Sequence, residues 1–388
     1  MSGNAAKSPD NRWSWVEVDL SALRRNVSAF RRQIGRTVQL MCVVKADAYG
    51  HGAAACAKTM RAAGADQFAV ATVDEGVALR EAGIDAPILV LSEPPIESVG
   101  TLVAYDLMPA VYTVEFALAL GEKAASENKV AKYHLAIDTG MTRIGVRRED
   151  ALEVRRTIDF HRGLECAGTF THFATADESD GWDFSLQLKR FREIVGELQA
   201  AGLDCGLIHC DNTPGTILHP ECRFDMCRVG IGLYGLHPAE TTVPCISLEP
   251  VMSVRGRVVR AVYPAVGDGV SYGLTYRVPK RNVQIATVPI GYADGLSRTL
   301  SGNMEVLVDG MRCRQVGRIC MDQFMFAVDV NTVRRYRPTH EVQAGDVVTL
   351  IGSDGDECIT ADDMAALRGT INYEVVCDFG MRLEKVYT

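Results

Sequence analysis

The sequence has no long apolar run and no dense basic segment, and each absence excludes a class of protein. No stretch approaches eighteen consecutive apolar residues, and the start, Met1 to Arg12, is polar. We therefore expect neither a membrane-spanning helix nor a signal peptide, and we expect a cytoplasmic location. The net charge of −8 at pH 7 gives no electrostatic reason to expect nucleic acid or an anionic membrane as a partner. The expected partner is a small molecule.

The chain also lacks any C-x-x-C pair, although it contains twelve cysteines. The cysteines are scattered, and several lie inside apolar segments such as Leu40 to Val44. A disulfide or zinc framework is the alternative, but such frameworks show closer and more regular spacing. We therefore interpret the cysteines as buried thiols and expect no metal site.

The first part of the chain alternates between strand and helix patterns. With 388 residues, 47% of them hydrophobic, two domains are expected. The first helical pattern runs from Leu20 to Ile34, with Asp19 or Ser21 as its cap and Gly35 as its end. The count of eight strands favours a (β/α)8 barrel, although a doubly wound sheet would show the same alternation. The predicted strands are Gln39 to Val44, Phe68 to Ala71, Pro87 to Leu91, Leu107 to Tyr112, Tyr133 to Ile137, Cys166 to Phe170, Gly206 to His209 and Met226 to Ile231.

The pattern changes near Pro244 to Pro250, after which strands joined by turns dominate. One short helix is expected at Ala361 to Leu367. We therefore predict a barrel domain at residues 1–245 and a mainly β domain at residues 246–388. The strands expected there are Val251 to Val262, Gln284 to Pro289, Met304 to Val308, Arg312 to Arg318, Met325 to Val330 and Val347 to Ile351.

Lys45 ends the first apolar strand, within the segment Val43 to Gly52. The active sites of (β/α)8 barrels lie at this end of the strands. Partial desolvation there disfavours the ammonium form and leaves the neutral amine that forms a Schiff base. By position alone, a solvated lysine at a strand end is an equally good interpretation.

The residues around Lys45 decide between these interpretations, because the segment Val-Val-Lys-Ala-Asp-Ala-Tyr-Gly-His-Gly resembles the cofactor-lysine motif of the alanine racemases. This family consists of fold-type III pyridoxal-phosphate enzymes. The resemblance extends over most of the chain and includes the predicted β domain. Further matching segments are Asp138 to Gly145, Thr171 to Asp177, Arg228 to Ile231, Val270 to Gly273, Ile290 to Gly295, Gly317 to Gln323 and Ile371 to Val375.

The resemblance implies two bases on opposite faces of the substrate. Lys45 carries pyridoxal 5'-phosphate as a Schiff base and acts on the D-face, and Tyr272 acts on the L-face. Racemisation needs two such groups, because a proton removed from one face must be returned on the other. A tyrosine of pKa about 10 is a poor base without help. The resemblance supplies that help by pairing Tyr272 with His172, and His172 with Arg228.

Arg228 is expected to face the pyridine nitrogen of the cofactor. A guanidinium stays charged and cannot accept a proton, so it keeps that nitrogen largely unprotonated and weakens the ring as an electron sink. We expect simple proton return to be favoured over transamination. An isolated histidine such as His172 would be interpreted as a core residue, but the segment Thr171 to Asp177 favours the functional role.

By the same resemblance, the phosphate is held at the ends of the last two barrel strands and by two tyrosine hydroxyls, a location common in barrels. The segment Gly230 to Gly235 also satisfies G-x-G-x-x-G, the dinucleotide fingerprint. We reject NAD because two prolines and no helical pattern follow this segment. The expected phosphate ligands are Asn212, Thr213, Gly230, Ile231, Tyr49 and Tyr373.

For the substrate carboxylate, the resemblance implies the Arg143 guanidinium and the Met321 backbone amide. The chain departs from the family at Ala136, where a lysine is common and often carries a carbamate that orients the arginine. Alanine supplies no negative charge, so Arg143 must be held by something else, such as a bound chloride, a water or a nearby carboxylate. The segment Cys377 to Leu383 also diverges, which bears on the substrate range.

The resemblance further implies a homodimer in which Tyr272 of one chain serves the barrel of the other. The expected activity is interconversion of L- and D-alanine, with D-alanine used for peptidoglycan. The open alternatives are racemisation of another small amino acid such as serine, a decarboxylase of the same fold type, and a non-catalytic pyridoxal-phosphate carrier.

Overall fold

The computed structural model describes residues 13–178, 181–329, 341–380 and 382–388. The chain divides into two compact units. One unit consists of Ala22–Ala48 and Gly52–Glu249. The other consists of Pro250–Thr388 together with the described residues up to Ser21, which include strand β1 (Ser14–Val18), and Tyr49–His51.

The first unit is a barrel of eight parallel strands, as the alternation of the sequence predicts. Strand order follows the chain around the barrel, with the last strand paired to the first. The remaining seam is bridged where the Asp225 N–H donates to the carbonyl of Ile208 at 2.9 Å, so the barrel is nearly closed. The strands are β2 (Gln39–Val43), β3 (Gln67–Val70), β4 (Ile88–Val90), β5 (Met108–Val111), β6 (Ala131–Asp138), β8 (Leu164–Phe170), β9 (Leu207–His209) and β10 (Met226–Val229), with the two-residue β7 (Val146–Arg147) beside β6.

Helices begin and end where local chemistry satisfies their terminal backbone groups. The Asp19 carboxylate accepts the Ser21 N–H at 2.8 Å and caps the first helix, and Gly35 follows its end with φ of 81°. Thr72 and Glu75 form a capping box at the third helix. The helices of this part are α1 (Leu20–Ile34), α2 (Ala53–Ala62), α3 (Val73–Glu81), α4 (Val99–Ala104), α5 (Val114–Ser126), α6 (Ala151–Asp159), α7 (Trp182–Ala200) and α8 (Thr213–Leu218).

The second unit is built on a ten-stranded mixed sheet. Strand β1 pairs antiparallel with β11 and parallel with β21, so it lies inside this sheet. Its strands are β11 (Met252–Arg257), β12 (Arg260–Val262), β15 (Val283–Val288), β16 (Glu305–Val308), β17 (Met311–Val316), β18 (Phe324–Asp329), β19 (Val347–Asp354), β20 (Glu357–Ile359) and β21 (Glu384–Tyr387), and the hairpin β13 (Gly269–Val270) and β14 (Tyr276–Arg277) is separate.

Helix α9 (Ala361–Arg368) matches the predicted helix, whereas α10 (Asn372–Asp378), β1 and β21 are absent from the prediction. The segment predicted as one strand from Val251 to Val262 contains two, with a register shift at Val254/Arg255. The end of the predicted strand at Val330 lies outside the described residues. Within the described residues, none of the helices combines the length and the apolar composition that a membrane span requires.

The cysteines follow the prediction for the most part. Within the described residues none of the twelve forms a disulfide, and eight of them are buried, which confirms the interpretation for those eight. Cys245, Cys358 and Cys377 are exposed, so the prediction of burial is wrong for these three. Each lies in a loop, a short strand or a helix end rather than in a barrel strand.

Phe116 on α5 tests the contribution of the barrel core, because its side chain is only 2% exposed. We expect Phe116→Ala to lower the free energy of unfolding by about 3–5 kcal/mol, since it removes buried apolar surface and leaves a cavity. Phe160, which is 87% exposed, provides the matched control, and Phe160→Ala should change stability by less than about 0.5 kcal/mol. Urea denaturation of both variants measures this, and equal losses would contradict the assignment of α5 to the core.

Candidate active site

Lys45 lies two residues beyond the end of β2, at the start of an unusual turn. Ala46, Asp47, Ala48 and Tyr49 all have φ between 51° and 56°, in the left-handed region. Residues with a Cβ adopt this region at a cost of about 1–2 kcal/mol each, so surrounding contacts must hold the turn. Lys45 itself is partly buried.

Two carboxylates hold this turn in place. Glu75 of α3 accepts the Ala46 N–H at 2.6 Å and also accepts the Ala71 N–H at 2.7 Å, so it joins the ends of β2 and β3. The carboxylate of Asp47 accepts the Ala53 N–H at 2.7 Å and fixes the start of α2. The backbone that carries Lys45 is therefore tied to two neighbouring elements of the barrel.

Arg228, on β10, lies buried in the barrel and donates to several acceptors. Its Nη2 group contacts the carbonyl of Thr171 at 2.8 Å and Nδ1 of His172 at 3.3 Å. Its Nη1 group donates to Nδ1 of His209 at 2.7 Å. Since a guanidinium only donates, both histidines accept at Nδ1 and carry their proton on Nε2. The predicted pair of His172 and Arg228 is therefore present.

The chain of imidazoles continues beyond His209. Nε2 of His209 lies 2.8 Å from Nδ1 of His134, which is fully buried on β6. Because His209 donates there, His134 carries its own proton on Nε2, where the described residues offer no acceptor. Burial, and then the charge of Arg228, lower the pKa of His134 to about 3, and the same two causes lower the pKa of His209 and His172. All three rings are neutral at physiological pH.

Asp211 supplies a buried carboxylate beside Arg228. Its Oδ1 accepts the backbone N–H of Arg228 at 3.3 Å and its Oδ2 accepts the Thr216 hydroxyl at 2.8 Å. Burial raises the pKa of Asp211, although Arg228 and these hydrogen bonds oppose that shift. Burial also lowers the pKa of Arg228, but the guanidinium remains charged in the physiological range.

Arg143 lies on an exposed loop that follows β6. It is near enough to Arg228 and His172 for its charge to lower the pKa of both groups. Among the described residues, Arg143 has no ion-pair partner. The position of the family's lysine is apolar here, because Ala136 is buried with Ala110 and Phe170.

The ends of β9 and β10 lie side by side, as predicted for the phosphate ligands. Asn212 caps α8 by accepting the Gly215 N–H at 3.1 Å. The buried hydroxyl of Thr213 accepts the Gly230 N–H at 3.0 Å. Residues 231–234 form one 3-10 turn and not the long helix of a dinucleotide site, which agrees with the rejection of NAD. Ile231 begins that turn.

The other predicted residues belong to the second unit. The rings of Tyr49 and Tyr373 are 6.2 Å apart, and burial raises the pKa of the Tyr49 phenol. Tyr272 is 70% exposed, and together with Met321 it lines an open cavity of about 680 Å³. The structure thus places Tyr49 beside Tyr373, and Tyr272 beside Met321, within this unit. The predicted pairing of Tyr272 with His172 joins residues of different units and stays a prediction.

Four residues that the sequence analysis overlooked hold the site together: Glu75, His134, Gln187 and His209. His209 and His134 lie in apolar strands, where a histidine is usually a core residue, so only their inward-facing register could have identified them. Glu75 is visible as the third helical residue of a capping box. Gln187 carries no signal beyond its place on the apolar face of α7.

Comparison with known proteins identifies relatives along almost the whole chain. The family profile "Alanine racemase, N-terminal domain" matches residues 18–238, and "Alanine racemase, C-terminal domain" matches residues 251–387. Alanine racemase 1 of Bacillus subtilis is 41% identical over 385 residues, covering 98% of this chain and 94% of the relative.

Solved structures agree with this result. The alanine racemase from Bacillus anthracis with bound L-Ala-P is 39% identical, with a TM-score of 0.90 and coverage of 98% of this chain and 96% of that one. A histidine racemase from Leuconostoc mesenteroides subsp. sake is 30% identical, with a TM-score of 0.89 and coverage of 98% and 99%.

The neutral state of His134 makes a prediction about acid stability. A histidine whose pKa is lowered in the fold binds a proton more readily when unfolded, so stability falls as pH drops below the ordinary pKa of about 6.5. We expect the stability difference between the wild type and His134→Gln to shrink by up to about 1.4 kcal/mol per pH unit between about pH 6 and pH 4. Urea denaturation across that range measures it, and parallel stability curves would contradict the prediction.

Proposed function

This chain belongs to the alanine racemase family, and we propose that it interconverts L- and D-alanine with pyridoxal 5'-phosphate and two bases, Lys45 and Tyr272 of the partner chain. D-alanine for peptidoglycan is the proposed use of the product. The observation that carries the proposal is the grouping of Lys45, His172, Arg228 and Arg143 at one end of the barrel.

The donors at this end of the barrel fit the chemistry of the cofactor. The Thr213 hydroxyl oxygen accepts the Gly230 N–H. Its own proton has no acceptor among the described residues, so that proton is available to a phosphate oxygen. Asn212 and the backbone amide of Ile231 lie beside it at the beginnings of short helical turns, where amides point outward. We propose that these groups and the hydroxyls of Tyr49 and Tyr373 hold the phosphate.

When bound, pyridoxal phosphate supplies an electron sink that makes the α proton of the amino acid more acidic. Lys45 holds the cofactor, and its amine takes or returns that proton on the D-face. The strained turn after Lys45 restricts where the amine of Lys45 can lie, because Glu75 and Asp47 fix the backbone from which the side chain extends.

Tyr272 of the partner is proposed to hold or deliver the proton on the L-face. His172 is suited to assist it, because Arg228 contacts Nδ1 and leaves the Nε2 proton to point toward an outside acceptor such as a phenolate oxygen. Arg228 itself, proposed to face the pyridine nitrogen, donates only, and its neighbours His172 and His209 are neutral. We therefore infer that neither Arg228 nor these two described neighbours readily transfers a proton to that nitrogen.

The substrate carboxylate is proposed to bind the Arg143 guanidinium and the Met321 amide. The loop of Met321 is braced by ion pairs, since Arg382 contacts Asp322 at 2.8 Å and Asp294 at 3.4 Å. Racemisation of another amino acid is the second candidate, because the histidine racemase described above has the same fold at 30% identity.

Circular dichroism of L-alanine solutions tests the activity and both bases. We expect the signal to decay to zero with the wild type, and we expect Lys45→Ala and Tyr272→Phe each to reduce the rate at least about a hundredfold, because each removes a proton-transfer group. Tyr263→Phe, on an exposed tyrosine of the same unit, should retain the rate. L-Serine and L-histidine as alternative substrates decide between the two racemase candidates, and no decay with any of the three amino acids by a yellow, cofactor-loaded protein would contradict the proposal.

A mixed dimer tests whether Tyr272 acts in the partner's site. One chain carries Lys45→Ala and the other Tyr272→Phe, and two affinity tags allow the mixed dimer to be purified. If sites are shared, one of the two sites contains both an intact Lys45 and an intact Tyr272, so about half of the wild-type activity should return. If each chain uses its own tyrosine, both sites are damaged and the mixed dimer should be as inactive as its parents.

A further inference from the structure

Gln187 lies on the buried face of α7 and contacts two functional segments at once. Its side chain is 4% exposed, and the same helix face carries Phe184, Leu188 and Phe191. An amide among aromatic and aliphatic side chains needs partners for its polar atoms. Those partners identify what Gln187 holds.

Each polar atom of the Gln187 amide is used. Oε1 accepts the Ala174 N–H at 2.9 Å, which fixes the orientation of the amide. Nε2 donates to the carbonyl of His172 and to the hydroxyl of Thr139, both at 3.1 Å. Gln187 therefore links the segment that carries His172 to the loop that carries Arg143.

The contact with Thr139 continues as a chain of hydroxyl groups. The Thr139 hydroxyl lies 2.8 Å from that of Thr171, which in turn contacts the carbonyl of Ile137 at 2.8 Å. With Gln187 donating to Thr139, each hydroxyl donates onward, and the chain ends at the backbone of β6. The carbonyl of Thr171 also accepts from Arg228 at 2.8 Å, so the chain reaches the buried guanidinium.

Arg190 adds a second contact one helical turn along α7. Its Nη1 donates to the carbonyl of Thr139 at 2.9 Å. The helix packs so closely here that a Cβ on Gly140, whose φ is 143°, would lie 3.2 Å from the Arg190 guanidinium and 3.5 Å from Cγ of Gln187. We call Gln187 and Arg190 the α7 clamp.

The loop of Arg143 is short and held at both ends. The Asp138 carboxylate accepts the N–H groups of Gly140 and Thr142 at 2.9 and 3.0 Å. At the other end, a Cβ on Gly145 would lie 2.6 Å from the Asp138 nitrogen, so the chain returns directly onto β6. Arg143 lies between these two attachment points, so a shift of the Thr139 and Gly140 backbone would also shift Arg143.

We propose that the α7 clamp positions Arg143 relative to His172 in this chain. The inference rests on the proposed function, because it takes Arg143 as the ligand of the substrate carboxylate. Ala136, packed with Ala110 and Phe170, supplies no charge to orient Arg143, and the Asp138 carboxylate is occupied by the N–H groups of Gly140 and Thr142. The clamp acts on the backbone from which Arg143 projects, so Gln187 and Arg190 are positioning residues and not catalytic ones.

Hydrogen exchange of the full-length, cofactor-loaded protein tests the clamp without reference to activity. In Gln187→Leu we expect the amides of Gly140 and Thr142 to exchange at least about tenfold faster, although their acceptor Asp138 is untouched. Gln67→Leu is the matched control, because Gln67 is also buried in the barrel but begins β3 at the opposite end of the strands. Unchanged exchange of residues 138–145 in Gln187→Leu would overturn the proposal.

Kinetics test the consequence for the substrate. We expect Gln187→Leu to raise the KM for L-alanine about 10- to 100-fold with a smaller change in kcat, because a displaced Arg143 weakens carboxylate binding before and during the reaction alike. In an Arg143→Ala background the same substitution should change kcat/KM less than about threefold. If the two substitutions lower kcat/KM independently, so that their effects multiply in the double variant, the proposal is overturned.

The two measurements separate the inference from the function it rests on. If the wild type does not racemise alanine, the proposed function fails, and hydrogen exchange still decides whether Gln187 holds the loop. If Gln187→Leu does not fold, Arg190→Gln, which removes the guanidinium bond to Thr139, replaces it in both experiments with the same expected directions. Rescue of KM by Gln187→Glu would contradict the proposal, because glutamate loses the donors to Thr139 and His172.

Discussion

The buried guanidinium of Arg228 is the constraint on which the arrangement of the barrel interior depends. A charge removed from water is costly unless its N–H groups meet acceptors, and here they meet the carbonyl of Thr171 and the Nδ1 atoms of His172 and His209. Those acceptors come from the ends of β8 and β9. The charge therefore sets the tautomers of two histidines and, through His209, that of His134. If His172 or His209 were protonated, its positive charge would lie directly against the buried guanidinium of Arg228.

The same constraint explains why this site combines a strongly polar interior with neutral rings. Asp211 partly balances Arg228, and burial works against the ionised form of both. Changes of volume or charge at these positions would act on several partners at once, because Arg228 and Asp211 each bond to more than one neighbour. The exposed side of the site is held differently, by hydrogen bonds of Glu75, Asp138 and Gln187 with the segments that follow β2, β6 and β8.

Much of the fold could be predicted from the sequence, because apolar periodicity and capping residues act locally. All eight barrel strands and the helix after Asp19 follow from such patterns. Strand β1 could not be predicted as part of the second sheet, since its partners β11 and β21 lie more than two hundred residues away and no local signal encodes that pairing. For the site, the motif around Lys45 predicted the family, which the comparisons confirm, and the predicted contact between His172 and Arg228 is present. The hydrogen bonds of Gln187 and His134 depend on tertiary packing, which spacing in the sequence does not reveal.

The position of β1 has a consequence for how the protein can be divided. The boundary between the two units is crossed four times by the chain, after Ser21, Ala48, His51 and Glu249. A fragment that begins at Pro250 would lack the strand that joins β11 to β21, and the sheet would present two unpaired edges in place of a continuous ladder. Gene fusion or recombination at a single site therefore cannot exchange the C-terminal part between relatives and keep its sheet intact. Any exchange that preserves its sheet must carry the N-terminal strand with it.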